Sequence, residues 1–335
     1  MPALIEAKSA LPARDPSLFA SRTLPPLLSI LIVDTHGGDS LARVIRELRD
    51  LRLGMPLEVL GVVGGQDPAR LAELQREFPL VTLHGVWDRT DRGSLLAKGA
   101  EAAQGRYVLV LDGTTSVDTA TIDGMIQFLD KGQWVGVVGP RLVKPDGADA
   151  PSARAFPTVS SALDLVMNRR QAAASEPAPR LQYALNRQVT TPKEVDAIDT
   201  GCCMIRKKAI QEVGAWDDGY APGGEALDWC RRARLRGWSV FYHPGVTARI
   251  HAPDSPDPAA VAVELATALR YLGRYGGFGT VGVLKLMLAA VTMRAMLVQG
   301  AASLVPGTHR PTARFGFWRA WHALGAIIAP RRAAA

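Results

Sequence analysis

The sequence predicts an α/β fold: a mostly parallel sheet with helices on both faces, followed by a C-terminal helical segment with membrane-seeking character. Two observations predict it. A continuous apolar run fills 27–33, as expected of a strand buried on both faces, and further strands are read at 57–63 and 107–111. Segments with apolar residues at helical spacing separate them, and such alternation implies parallel β-α-β units.

Taken in order, 27–33 is the first strand, and Ser40 can cap the helix carrying Leu41, Val44, Ile45, Leu48 and Leu51. The second strand is 57–63. Asp67-Pro68 is a helix start, a cap followed by proline at the first helical position, with Leu71, Leu74 and Phe78 on the buried face. A short strand at 81–84, a helix at 94–103, a strand at 107–111 ending in Asp112-Gly113, a helix at 119–129 and a strand at 134–138 follow. Residues 140–160 are rich in Pro, Gly, Asp and Ala and read as an extended loop or hairpin. Residues 171–194 are polar and weakly periodic, which predicts mobility. Beyond them, 195–205 reads as a strand containing Gly201, 227–235 as a helix ending at Gly237, 239–242 as a strand and 258–271 as a helix. The expected units are an arm over 1–25, an α/β domain over 26–257 and a basic amphipathic helical tail over 258–335.

The chain has 335 residues, 47% hydrophobic and 21% charged, ample for a large core and too apolar for wholesale disorder. Its three cysteines, Cys202, Cys203 and Cys230, form no Cys-x-x-Cys pair, which argues against a zinc site or a disulfide framework and suits a reducing cytoplasm. The first 25 residues hold no apolar h-region of a secretory signal. The formal charge is +7, unevenly placed: beyond Glu264 there are nine basic residues and no acidic one. Leu, Met, Val and Trp are interleaved with those charges, so anionic lipid fits better than nucleic acid as the partner. A solvated basic face is the plainer reading.

In sheets of this kind ligands bind beyond the carboxyl ends of the strands, so the segments after Val33, Val63 and Leu111 are the first places to look for a site. No Gly-x-Gly-x-x-Gly follows the first strand and no Gly-x-x-x-x-Gly-Lys-Ser/Thr occurs, which disfavours dinucleotide oxidoreductases and P-loop enzymes.

Six blocks carry a resemblance. They are Asp91-Arg92-Gly93, the 105–111 run, Val138 to Pro157 with Arg154, the 200–206 run with Gly201, Gly214-Ala215-Trp216-Asp217, and Glu225-Ala226-Leu227-Asp228-Trp229-Cys230 followed by Gly237-Trp238. In order and spacing the chain resembles the family 2 glycosyltransferases, particularly rhamnosyltransferase-like members, over about residues 27–255. The resemblance implies a GT-A fold, a nucleotide-diphosphate sugar donor, a lipid-linked or polysaccharide acceptor, and Mg²⁺ or Mn²⁺ at an acidic strand-end motif. Such an ion would stabilise the diphosphate leaving group, and a carboxylate would serve as general base.

Several motif positions depart from that pattern. The metal motif reads Asp112-Gly113-Thr114, with one carboxylate in place of two, and His251 is the matching candidate for a metal or phosphate ligand. The base falls on Ala226, leaving Glu225 and Asp228 as candidates; in a helix these two lie three apart, on a shared face. The nucleotide-reading positions hold Asp34, Thr35 and His36 after the first strand and Gly64 after the second, with Asp91, Arg92, Gly93, Asp112 and Thr114 completing the candidate donor site. Arg154, Gly201 and Trp216 match positions that line an acceptor cleft. Two functions follow: a sugar transferase peripheral to the inner face of the membrane, or an inactive relative serving as a binding or assembly subunit.

In the tail, 281–305 is apolar but contains Lys285 and Arg294 on opposite helix faces. Its longest uncharged stretch falls short of the roughly 20 residues of a spanning helix, so an interfacial or buried helix is expected. Phe315, Phe317, Trp318, Trp321, Leu324, Ile327 and Ile328, set among arginines, look like a second interfacial segment. A helical pair covering the sheet, or an interface with a protein partner or second copy, is the alternative.

Overall fold

The computed structural model describes residues 25–35, 38–49, 51, 53–65, 68–87, 91–167, 189–251, 260–277, 279–304 and 310–328. The N-terminal arm, His36 and most of 171–194 lie outside them.

The elements in chain order are β1 (Leu28–Asp34), α1 (Asp39–Leu48), β2 (Leu57–Gly64), α2 (Pro68–Glu77), β3 (Thr82–Val86), α3 (Arg92–Ala102), β4 (Tyr107–Asp112), β5 (Thr115–Ser116), α4 (Thr119–Lys131), β6 (Val135–Val143), β7 (Asp149–Ala150), β8 (Ala153–Arg154) and α5 (Val159–Met167). Then come β9 (Lys193–Glu194), β10 (Ala197–Ile198), β11 (Cys202–Arg206), α6 (Lys207–Val213), α7 (Gly224–Leu235), β12 (Ser239–Ile250), α8 (Ala260–Tyr275), α9 (Thr280–Leu304) and α10 (Arg310–Ile328).

The main sheet runs β3-β2-β1-β4-β11-β6-β12-β5. β1 to β4 are parallel, β11 is inserted antiparallel between β4 and β6, and β12 runs parallel to β6. Both faces are buried, and the alternation of side chains divides them: Leu31 and Val33 of β1 join one apolar cluster, Leu28, Ile30 and Ile32 the other. That is why β1 is buried along its whole length and apolar at all but Ser29 and Asp34.

Four differences from the sequence expectation have local causes. The 195–205 strand is two strands, broken where the Asp199 carboxylate accepts the Gly201 N–H at 2.9 Å, an Asx turn. β12 extends to Ile250 because β6 pairs with it past a bulge between His243 and Thr247. α5 and α6 were not expected; both are short and draw their order from neighbours. α7 begins three residues early, at Gly224, after Gly223 in a left-handed conformation (φ 86°).

α8, α9 and α10 enclose a third apolar cluster with α5, built from Leu165, Val261, Leu265, Leu284, Leu288 and Ile327 among others. α9 is one continuous 25-residue helix, only 17% buried over its most apolar window. Lys285 and Arg294 do not interrupt it, so by length and composition it also suffices to cross a bilayer.

Candidate functional site

The site is built around the carboxyl end of β4. Asp112 closes that strand, and its N–H donates to the Gly201 carbonyl at 3.0 Å. Its Oδ1 accepts both the N–H and the hydroxyl of Thr114, each at 2.6 Å. Arg43 of α1 donates to the Gly113 carbonyl at 2.6 Å. The turn admits no side chain at position 113, where a Cβ would lie 2.4 Å from the Ser40 hydroxyl.

Arg92 enters from α3. Asp91 caps that helix by accepting the Ser94 N–H at 2.7 Å. Gly93 is required because a Cβ there would meet the Asp217 carbonyl at 2.6 Å. Arg92 donates through Nε to the Thr200 hydroxyl at 2.9 Å and through Nη2 to the Thr200 carbonyl at 2.7 Å. Its Nη1 lies 3.6 Å from Asp112 Oδ2 and its Nε 3.6 Å from Glu225 Oε1. One guanidinium thus stands between two carboxylates.

Glu225 lies in the first turn of α7, where the helix dipole favours negative charge. It is 1% exposed; Oε1 accepts the Thr200 hydroxyl at 2.9 Å, and Oε2 has no hydrogen-bond partner. Burial pushes its carboxyl above the usual carboxylate range, against the pull of Arg92.

Other candidates sit elsewhere. Asp228 is fully buried, but it does not share a site with Glu225: Oδ2 accepts from Arg232 at 2.8 Å, Oδ1 accepts from Tyr275 at 2.7 Å, and Arg274 lies 3.0 Å away. It is an anchor between α7 and α8, with no oxygen left for a substrate proton. Ala226 borders an internal cavity of about 10 Å³ lined by Val137, Ile198, Cys203, Ile205, Trp216 and Trp229 as well as Thr200 and Cys230; it faces the core. Trp216 is 4% exposed and stacks on Trp229 at 5.1 Å, so it packs instead of lining a cleft.

Arg154 is likewise buried; it donates to the Gly223 carbonyl and to Glu264 of α8 at 2.9 Å. Asp34 is 1% exposed, and its Oδ2 accepts from Gly38, Ser40 and Leu41, holding the start of α1 against β1. Gly64 ends β2 opposite Val86, followed by Gly65 at φ 62°. A hollow of about 440 Å³ between α4 and β12 contains none of these residues.

His251 follows β12. Its N–H donates to the Thr114 carbonyl at 2.7 Å, which places it beside the strand-end turn, and its Nε2 shares a 3.0 Å hydrogen bond with Ser116. The residues here fit a divalent ion poorly. One carboxylate, with an oxygen already committed to its own turn, is joined only by a hydroxyl and an imidazole. Among the described residues no group of three or more His, Cys, Asp or Glu could hold a metal ion.

Sequence reasoning passed over Thr200, which joins Arg92 to Glu225, and Arg43, which braces the Asp112 turn. Thr200 had a signal, its place immediately before Gly201 at the head of the 200–206 run. Arg43 had none, being one of several arginines on an amphipathic helix.

Known proteins share this architecture. A crystal structure of GalNAc-T7 with UDP, GalNAc and Mn2+ superposes with a TM-score of 0.53 at 15% identity, over 91% of this chain and 56% of that one. The mannosyltransferase PcManGT from Pyrobaculum calidifontis, in complex with GDP-Man and Mn2+, gives 0.50 at 12% identity, over 92% and 89%. At such identities the likeness establishes the fold, GT-A. An N-acetylglucosaminyl-diphospho-decaprenol L-rhamnosyltransferase of Mycobacterium tuberculosis (strain CDC 1551 / Oshkosh) is 24% identical over 194 residues, 56% of this chain. The match spans 61% of that relative's length. Residues 25–268, from three residues before β1 into α8, match the family described as glycosyltransferase like family 2, and the chain belongs to that family.

Proposed function

We propose that the chain transfers a sugar from a nucleotide-diphosphate donor to a lipid-linked or polysaccharide acceptor, with Glu225 as general base. One observation carries this: a buried carboxylate with an unpartnered oxygen stands 3.6 Å from a guanidinium that itself lies 3.6 Å from the strand-end aspartate. Glu225 takes the proton of the acceptor hydroxyl while that oxygen bonds to the sugar's anomeric carbon. The bond from that carbon to the diphosphate breaks, and the nucleotide diphosphate leaves with the electron pair. A carboxyl held above its ordinary range is a stronger base near neutrality than a solvated one. Gly64, Asp91, Arg92, Gly93, Asp112 and Thr114 form the donor side, and Gly201 borders it.

A lipid-linked acceptor is supported by the relatives' decaprenol-linked substrate, and the exposed apolar side chains of α9 and α10 support a position peripheral to the inner, anionic face of a membrane. Transfer from a panel of nucleotide sugars to polyprenyl-diphosphate sugars, by the wild type and Glu225→Gln, tests the reading. Wild-type transfer that Glu225→Gln leaves untouched would remove Glu225 from the mechanism. The second reading, an inactive assembly subunit, is favoured by the alanine at 226 and the threonine at 114. Absence of nucleotide binding together with absence of transfer would support it.

A further inference from the structure

We propose that Arg92 and Arg43, and not a divalent ion held by paired carboxylates, supply the positive charge that meets the donor's diphosphate. The inference rests on the transferase reading and concerns the chemistry of the same site.

The argument begins with charge. A strand-end turn with two carboxylates needs a divalent ion before an anionic diphosphate can approach. Here the second position of the turn is Thr114, whose hydroxyl is spent on Asp112 Oδ1 at 2.6 Å. The turn therefore carries one negative charge. Two guanidiniums reach it, from different elements: Arg92 of α3, with Nη1 3.6 Å from Asp112 Oδ2, and Arg43 of α1, bonded to the Gly113 carbonyl at 2.6 Å. Arg92 also lies 3.6 Å from Glu225, the carboxylate that the transferase reading uses as base. Two cations thus stand against Asp112 and Glu225, so the protein's own charges nearly balance, where a second turn carboxylate in place of Thr114 would leave the site negative and in need of a metal ion.

Geometry supports the same assignment. Nε and Nη2 of Arg92 are fixed by Thr200, so the guanidinium plane is held before a ligand arrives. Its side chain is only 10% exposed, where water screens an ion pair weakly. With the Nε/Nη2 edge held by Thr200, the Nη1 side of the guanidinium is the part that can donate to a phosphate oxygen. His251, the remaining candidate ligand, is tied to Ser116.

The test is calorimetry on the full chain with UDP, GDP and dTDP in turn, in EDTA and in Mn²⁺. The expected result is binding of at least one nucleotide with affinities within about threefold of each other in the two buffers. Arg92→Lys should weaken that binding about tenfold in either buffer, because an ammonium lacks the fork. Arg43→Gln, at an exposed position that does not hold Thr200, should weaken it independently of any folding effect at Arg92. Thr114→Asp should convert the site to Mn²⁺-dependent binding. Wild-type binding that appears only with Mn²⁺, or that Mn²⁺ tightens tenfold or more, would overturn the inference; so would Arg43→Gln and Arg92→Lys both binding as wild type. No binding of any nucleotide in either buffer would instead reject the nucleotide-sugar reading itself.

Discussion

At the scale of single residues, Glu225 and Asp228 lie one helical turn apart and are both buried, yet they should respond oppositely to neutralisation. Asp228 is spent on Arg232, Tyr275 and Arg274. Asp228→Ala leaves those groups unpaired and should cost about 3–5 kcal/mol in urea unfolding. Glu225 has an unpartnered oxygen, so Glu225→Gln should lower turnover by about 10²–10⁴-fold with donor affinity nearly kept, and should not destabilise the fold.

The pH dependence of stability follows from the same residue. The folded-state pKa of Glu225 lies above its ordinary 4.5, so between the two values the folded chain holds more protons than the unfolded one. That contribution to stability falls as pH rises through the window. Glutamine does not titrate. Urea melts at pH values bracketing the window should show Glu225→Gln gaining on wild type as pH rises and levelling off above it; a constant difference would mean the carboxyl is not perturbed. Ala226→Asp, which the motif spacing singles out as a repair, would place a carboxylate against an apolar cavity. It should destabilise by several kcal/mol and restore nothing.

At the scale of elements, α8 stands out. Glu264 braces Arg154, which holds the Gly223 carbonyl at the start of α7. Arg270 and Arg274 bind Asp217, whose carbonyl packs on Gly93 at the start of α3. The helix thereby pins both segments that aim Glu225 and Arg92, and the family match runs into it, to residue 268. Glu264→Ala leaves the buried Arg154 short of a partner and should cost about 3–5 kcal/mol. Arg270→Ala, at an ion pair whose arginine is 42% exposed, should cost about 1 kcal/mol or less. Equal effects in chemical denaturation would mean that the Glu264 pair is as solvated as the Arg270 one.

At the scale of the whole molecule, the tail carries an exposed apolar stripe: Val283, Leu286, Met293, Leu297 and Leu304 on α9, with Trp318, Trp321 and Ile328 on α10. Arg294 lies among them. Such a surface, in a region without an acidic residue after Glu264, suits an anionic bilayer. Because α8 is bound to the GT-A body, deletion from residue 265 would cut through it, and point changes are the cleaner comparison. Leu286→Glu with Leu297→Glu removes about 1.5–3 kcal/mol of apolar burial per site. That variant should lose recovery with anionic liposomes in flotation by tenfold or more. Recovery equal to wild type would reject membrane docking by this face.

The alternating elements, the parallel β1 to β4 and the strand-end place of Asp112 were legible in the chain because each rests on local periodicity, which a short window contains. The family blocks brought Arg92, Asp112 and Glu225 into view for the same reason, as short runs at regular spacing. Sequence could not separate Glu225 from Asp228, since both lie on one helix and their difference is the partners that α3, the 199–201 turn and α8 bring to them. Nor could it show that Ala226 faces a core cavity or that Trp216 is stacked inside. The antiparallel insertion of β11 between β4 and β6 joins residues 66 to 99 apart in sequence, and its hydrogen bonds exist only once the sheet has closed. Burial, pairing and charge compensation are properties of the assembled neighbours, and tertiary structure alone decided them.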